Sequence, residues 1–503
     1  MSPGRATGHN VRHGHFAVPR HMSVRLAISA DFPSVTYFRG PCGEYGFVPP
    51  GVLDSLSTID NNTFEMNLNT LRLTCASLLL LLAPLVAEAT TDCNRAAHDP
   101  LTHVALPGSP FTALPSTDGC WIFVSLSAGT STSSPGVAVL SRGDGAVSLA
   151  RTVPLGGQPN GMTLTHDGKV LIVPNGVNVA FLDVQQLTGG GANPVMGYWW
   201  GTHLGALERI YATVTSDDRY VFVSDESEGT ISVLDLAAAR RSHFSGDALV
   251  ATVAVGSAPV GLALSSDDRY LYATVQMTKT FGWPLTCRPE GNAAAAPDHT
   301  EGAVVVIDTR LAVSAPARSV VKWVRAGCNP VRVVTSPRHE VYVTARGSNA
   351  LLVFPEAQLT APGAVTAATA VSVGKSPVGV AVIEDGRKVV VTNSDRFARA
   401  ASGAQSLYVL DSSRLSDTGA APLVGVVREK GFPREIRSTA DGRTLLVTNF
   451  DAGTLEIVDL THSPWSFGQV DEDQADRTYS LRFPLTETMR CTDASTRLFD
   501  TYL

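Results

Sequence analysis

The feature that most constrains this chain is a frame that repeats along it. A proline is followed eight residues later by an aspartate in Pro110/Asp118, Pro159/Asp167, Pro259/Asp267, Pro377/Asp385 and Pro433/Asp441. Two further units keep half of the frame: Pro330 has Arg338 in the aspartate place, and Asp217 has Arg209 in the proline place. Most of the seven units are spaced by about 47–56 residues, a period at which self-similarity signals a repeat architecture.

Each unit also repeats its apolar runs. After the Asp-Gly or Asp-Asp turn comes a β-branched stretch, such as Val221-Phe222-Val223 or Val389-Val390-Val391, and after a polar loop another, such as Ile231 to Asp235 or Leu407 to Asp411. Short strands punctuated by Gly, Asp and Asn at this spacing predict antiparallel four-stranded meanders, the unit of a β-propeller blade. An outer strand is expected just before most unit prolines, marked by Val153, Val253, Val324, Val371 and Val427. The same mark, Val104, precedes the first unit, whereas the last unit runs out after Leu460. The expected fold is therefore an all-β, seven-bladed propeller over 90–460 whose last blade is closed by an N-terminal strand, leaving no free sheet edge in the ring.

Composition fits a large core, with 44% apolar and 17% charged residues. A net charge of −7 leaves no basic excess to neutralise phosphates, so no nucleic-acid partner is expected. The apolar run from Leu73 to Ala87 follows Met66 and Arg72 and ends in Ala87-Glu88-Ala89, which reads as a signal peptide over 66–89 and implies a secreted protein. The run falls short of the roughly 20 residues that cross a bilayer, and Pro84 interrupts it, so no stable membrane anchor is expected. Residues 1–65 then read as an upstream extension absent from the mature chain.

Two strings carry a family resemblance. Val391-Thr392-Asn393 and Val447-Thr448-Asn449, each after an Asp-Gly turn, look like the repeats of YVTN-type, lactonase-like seven-bladed propellers. The links Gly256-Ser257-Ala258-Pro259-Val260-Gly261 and Gly374-Lys375-Ser376-Pro377-Val378-Gly379 resemble the same family over roughly residues 100–460. The resemblance implies the fold. For function it implies a range from surface and nucleic-acid-binding propellers to lactonases.

Candidate site residues come from departures within the repeat. Two residues after the unit proline stand Gly161, Gly261 and Gly379, but also Thr112, Tyr211, Arg332 and Glu435. Arg434 and Asn160 fill the slot before, and Glu208 and Arg209 belong to the unit without proline. Arg332 and Glu435 either pair and plug the channel mouth, or line a polar pocket with Arg434, Asn160, Glu208 and Arg209 for an anionic or carbonyl-bearing molecule. The expected function is binding of a small molecule or protein at the channel face by a monomer without a cofactor. The alternative is a lactonase-like hydrolase with Glu435 or Glu208 as general base. No G-x-S-x-G elbow supports a serine hydrolase, and His103, His166 and His203 have no metal-ligand spacing.

The remaining segments carry two expectations. The insertion from Gln276 to Gly302 lies between the second and third strands of the fourth unit, over the channel face. Its Cys287 should therefore reach Cys328, two residues before Pro330, and form a disulfide. Cys93, Cys120 and Cys491 then share at most one further bridge, with no choice of pair. The acidic C-terminal tail, 461–503, either packs on a flank or stays free.

Overall fold

In the computed structural model the chain divides into two units, Met1–Ala89 and Thr90–Leu503. The second is described over residues 93, 99–129, 134–201, 208–244, 248–278, 282–290, 296–363, 368–397, 405–416 and 421–462, with a short strand at Thr478–Tyr479. In the first unit only an antiparallel pair, Thr36–Arg39 with Tyr45–Val48, is described, so the expected signal peptide and the mature N-terminus lie outside the described residues.

Thr90–Leu503 holds seven four-stranded antiparallel meanders. Their innermost strands are Gly108–Pro115, Thr163–Leu164, Arg209–Val214, Ser257–Leu264, Pro330–Thr335, Pro377–Ile383 and Pro433–Ser438, numbered here blades 1 to 7. Blade 7 takes its outer strand from the N-terminal side: Leu101–Ala105 pairs with Thr454–Asp459, Val104 opposite Leu455. This is the closure expected from Val104. The chain is a seven-bladed β-propeller. Thr478–Tyr479 of the tail adds a short strand to the outer edge of blade 5, opposite Val371 and Ala370.

The β-branched runs stand where they do because each blade is buried on both faces. Phe222, Ile231 and Val233 of blade 3 pack against Leu271, Val305 and Ile307 of blade 4 in one apolar layer, and similar layers fill the other gaps between blades. The frame aspartate is a turn device. The Asp217 carboxylate accepts from the Thr215 hydroxyl at 2.6 Å and from the Arg219 amide at 3.0 Å, and Asp167 and Asp267 do the same in their blades. The aspartates that end the third strands cap short helices, as Asp235 does for Leu236–Arg241.

One hydroxyl joins blade to blade around the axis. In blade 7 the Thr448 hydroxyl accepts from the Glu435 amide at 3.1 Å and donates to the Phe111 carbonyl of blade 1 at 3.0 Å. Ser125, Ser224, Thr274 and Thr344 make the same two contacts in blades 1, 3, 4 and 5. Blade 2 has Pro174 at that place, and there the Gly161 amide donates directly to the Ile210 carbonyl of blade 3 at 2.7 Å. Thr448 of the second Val-Thr-Asn string is thus an inter-blade staple, and Thr392 of the first accepts from the Gly379 amide within its own blade.

Candidate functional site

The positions two residues after the unit start alternate in size around the ring. Blades 3, 5 and 7 bring Tyr211, Arg332 and Glu435, while blades 2, 4 and 6 bring Gly161, Gly261 and Gly379. The glycines make room. A Cβ on Gly161 would come within 2.6 Å of the Tyr211 ring, and one on Gly261 would meet the Val331 carbonyl at 2.6 Å. The three large side chains therefore converge across the channel.

They meet at one carboxylate. Arg332 Nε donates to Glu435 Oε2 at 2.6 Å, the Tyr211 hydroxyl donates to the same oxygen, and Arg437 Nε lies 3.4 Å from Oε1. All three of Arg332, Glu435 and Tyr211 are buried, at 4%, 2% and 2% exposure. Burial alone would raise the Glu435 carboxyl, but Arg332, Arg437 and the Tyr211 hydroxyl outweigh it and hold its pKa below the usual range. Burial raises the Tyr211 phenol, which keeps it a donor. Glu435 is thus a fixed anion, tied on both oxygens and poorly suited to take up a proton as a general base.

Above this knot lies an apolar collar. The residues one place after the unit start include Val260, Val331 and Val378, which pack with Phe432, Ile210 and Phe450. Arg434 is the one charged side chain among the seven collar positions. Its guanidinium sits 3.8 Å from the Phe111 ring centroid, 5.0 Å from Phe450 and 5.5 Å from Phe432. From there a ladder of alternating arginine and phenylalanine climbs outwards. Arg332 and Arg434 both face Phe111, Arg434 and Arg396 face Phe432, and Arg396 and Arg346 face Phe397. It runs from Phe111, 3% exposed, to Phe397, 37% exposed at the rim.

Among the described residues the two ends of the ladder are ion-paired and the middle is not. Arg332 pairs with Glu435, and Arg346 pairs with Glu290 at 2.8 Å. Arg434 and Arg396 make no ion pair among the described residues, and the buried Arg434 Nε has no hydrogen-bond partner. Burial, then the charges of Arg332 and Arg396, pull the Arg434 pKa down to about 9. A guanidinium remains charged across the working range, so that pull measures a standing electrostatic cost that an anion would relieve.

Facing the ladder is Glu226, whose Oε1 accepts from Gln276 Nε2 at 2.7 Å. Burial and the Glu208 charge raise its pKa, against the opposing pull of Gln276, Arg346 and Arg434. The insertion closes the same face. It follows the strand Tyr270–Met277 and precedes Ala303–Asp308, and it carries Cys287, bonded to Cys328 with Cα atoms 5.4 Å apart. That is the pairing expected from the repeat register. Cys93 pairs with Cys120, and Cys491 lies outside the described residues.

Of the residues singled out from sequence, Arg332, Glu435 and Arg434 come together at the channel. Asn160 and Arg209 are engaged within the ring instead. Asn160 Nδ2 donates to the Arg209 carbonyl at 3.0 Å, and the Arg209 guanidinium lies 4.7 Å from the Trp199 ring centroid and donates to the Val177 carbonyl. Arg209 is only 2% exposed, because without a proline the inner strand of blade 3 begins with a side chain that fills the gap to blade 2. Glu208 is exposed, and its charge acts on Glu226. Phe111, Arg346, Arg396, Phe397, Phe432 and Glu226 were not singled out. Most of these lie on or beside the loops between second and third strands, where the repeats differ most.

Other groups are accounted for locally. His103 pairs with Glu456 at 3.3 Å and His166 with Asp218 at 3.0 Å, and His203 lies outside the described residues. Among the described residues no cluster of three His, Cys, Asp or Glu could hold a metal ion, and no helix is long and apolar enough to cross a membrane. A cleft of about 330 Å³ between blades 1 and 2 lies at the opposite ends of the strands, but its Asp118 and Asp183 already serve a turn and a helix cap.

No family model and no curated protein matches the chain. Solved structures do. The chain is similar to hydrazine synthase of Kuenenia stuttgartiensis, with 16% identity, 71% of this chain and 97% of that chain covered, and a TM-score of 0.52. It is also similar to a chain of the mitotic checkpoint complex, with 14% identity, coverage of 73% and 96%, and a TM-score of 0.51. At such identities the likeness shows the fold alone. The YVTN and lactonase resemblance continues to rest on the strings quoted above.

Proposed function

We propose that this chain is a secreted, monomeric ligand-binding propeller that holds an anionic small molecule at its channel mouth, on Arg434 and Arg396. One observation carries the reading. Two guanidiniums share the Phe432 ring and make no ion pair among the described residues, while the arginines at either end of the ladder each make one. A ligand carboxylate, sulfonate or phosphate would supply the missing charge through charge-assisted hydrogen bonds of about 1.5–3 kcal/mol each. The phenylalanines beside them suit an apolar ligand body. Secretion is supported by the apolar run 73–87 with its small-residue exit and by two disulfides, which persist in oxidising compartments. Thermal-shift screening of an anion panel tests the reading. At least one anion should raise the melting temperature of the native protein but not of Arg434→Gln, and equal responses in both would refute it.

A hydrolytic reading, along the lactonase resemblance, is favoured by Glu226. Its raised carboxyl faces the same arginines, whereas Glu435 is held as an anion. On this reading Glu226→Gln abolishes turnover of an anionic ester or lactone and leaves its binding intact. Retained turnover in that variant would exclude Glu226 as the base.

A further inference from the structure

Beside the unpaired arginines is a cradle that the protein fills with its own carboxylate. Glu290, on the blade 4 insertion, places Oε2 2.8 Å from Arg346 Nη2, 2.9 Å from Arg346 Nε and 2.7 Å from Asn329 Nδ2. Three donors converge on one oxygen. The donors belong to the ring, Asn329 to the link that enters the inner strand of blade 5 and Arg346 to the loop after its second strand. The acceptor belongs to an excursion joined to that link by Cys287–Cys328, so Glu290 stands three residues from the bridge and Asn329 next to it.

The cradle adjoins the free guanidiniums. Arg346 and Arg396 lie 5.7 and 4.9 Å from the same Phe397 centroid, and Arg396 and Arg434 share Phe432. One short molecule could therefore span both places. Glu290 is the only carboxylate on Arg346 among the described residues, and it arrives from the one blade whose second and third strands are joined by a long insertion.

We propose that the ligand is a small dianion, one acidic group on Arg434 and Arg396 and the other displacing Glu290 from Arg346 and Asn329, with Glu290 as a tethered stand-in for that second group. The inference rests on the anion-binding reading of Arg434 and Arg396 given above. Glu290 gives the half-buried Arg346 guanidinium a counter-charge in the structure. Because it is tethered, it competes at the high effective concentration of an intramolecular partner and sets how tightly a dianion binds.

Calorimetric titration of the full chain with glutarate and with butyrate, at matched ionic strength, tests this. In Glu290→Gln the competing charge is gone, so glutarate should bind about tenfold more tightly than to the native protein while butyrate changes by less than about twofold. Glu290→Asp, which keeps the charge on a shorter arm, should fall between. Adding Arg346→Gln to Glu290→Gln should return glutarate to the affinity of butyrate. Unchanged or weaker glutarate binding in Glu290→Gln, with Arg434-dependent butyrate binding retained, would overturn the stand-in and leave the anion site in place. Absence of binding of either probe to all of the proteins would overturn both.

Discussion

Arg332 on the inner strand of blade 5 donates to Glu435 on the inner strand of blade 7 across the channel, at 2.6 Å and out of water. Breaking such a pair from one side leaves a charge that neither solvent nor protein satisfies. Glu435→Ala should therefore destabilise the fold by about 3–5 kcal/mol in urea titration, whereas the apolar double variant Arg332→Met/Glu435→Leu should recover most of the loss. A single variant that unfolds at the native urea midpoint would show that the pair does not hold the axis together.

Thr448 makes a second, testable link, because its hydroxyl joins the Glu435 amide to the Phe111 carbonyl where blade 7 meets blade 1. Thr448→Val keeps the shape and leaves a buried amide and carbonyl without partners, an expected cost of about 1–3 kcal/mol. Equilibrium unfolding of this variant should show that loss. A neutral result would mean that the two groups re-pair directly, as the Gly161 amide and Ile210 carbonyl do beside Pro174.

A buried acid pair gives stability a pH dependence. Glu429 and Glu456 are 5% and 0% exposed and share the Asn449 amide as donor, at 3.3 and 3.1 Å. Burial, then the adjoining Glu456, raises the Glu429 carboxyl well above the usual carboxylate range. A raised carboxyl keeps its proton in the folded state after the unfolded chain has lost it. Its contribution is complete below the ordinary carboxyl pKa and is lost as pH rises through the raised folded value. Glu429→Gln keeps a donor toward Glu456 and removes the titration. It should melt higher than the native protein at pH 8 and show a flatter fall between pH 5 and 9, and parallel melting curves across that range would rule out a raised Glu429 carboxyl.

The ring, its closure by Leu101–Ala105 and the Cys287–Cys328 bridge were legible because they depend on register, and register repeats in the sequence. The alternation of Gly161, Gly261 and Gly379 with Tyr211, Arg332 and Glu435 was also written there, as every second blade giving way to its neighbour. What register could not supply was side-chain direction. Arg209 and Arg434 both depart from the repeat pattern near a unit start, yet one turns between blades onto Trp199 and the other into the channel over Phe111. The ladder was hidden for a similar reason. Arg346, Arg396 and Phe397 come from loops of different length, which no repeat frame aligns.

The most direct test of the account is calorimetric titration of an anion found by the thermal-shift screen into the native protein, Arg434→Gln, Arg396→Gln and a control, Arg240→Gln, whose partner Asp167 lies at the other ends of the strands. Affinity should fall by about tenfold or more in each of the two channel variants and stay unchanged in the control. Equal affinity in all four proteins would contradict an anion site on the Arg434–Arg396 pair.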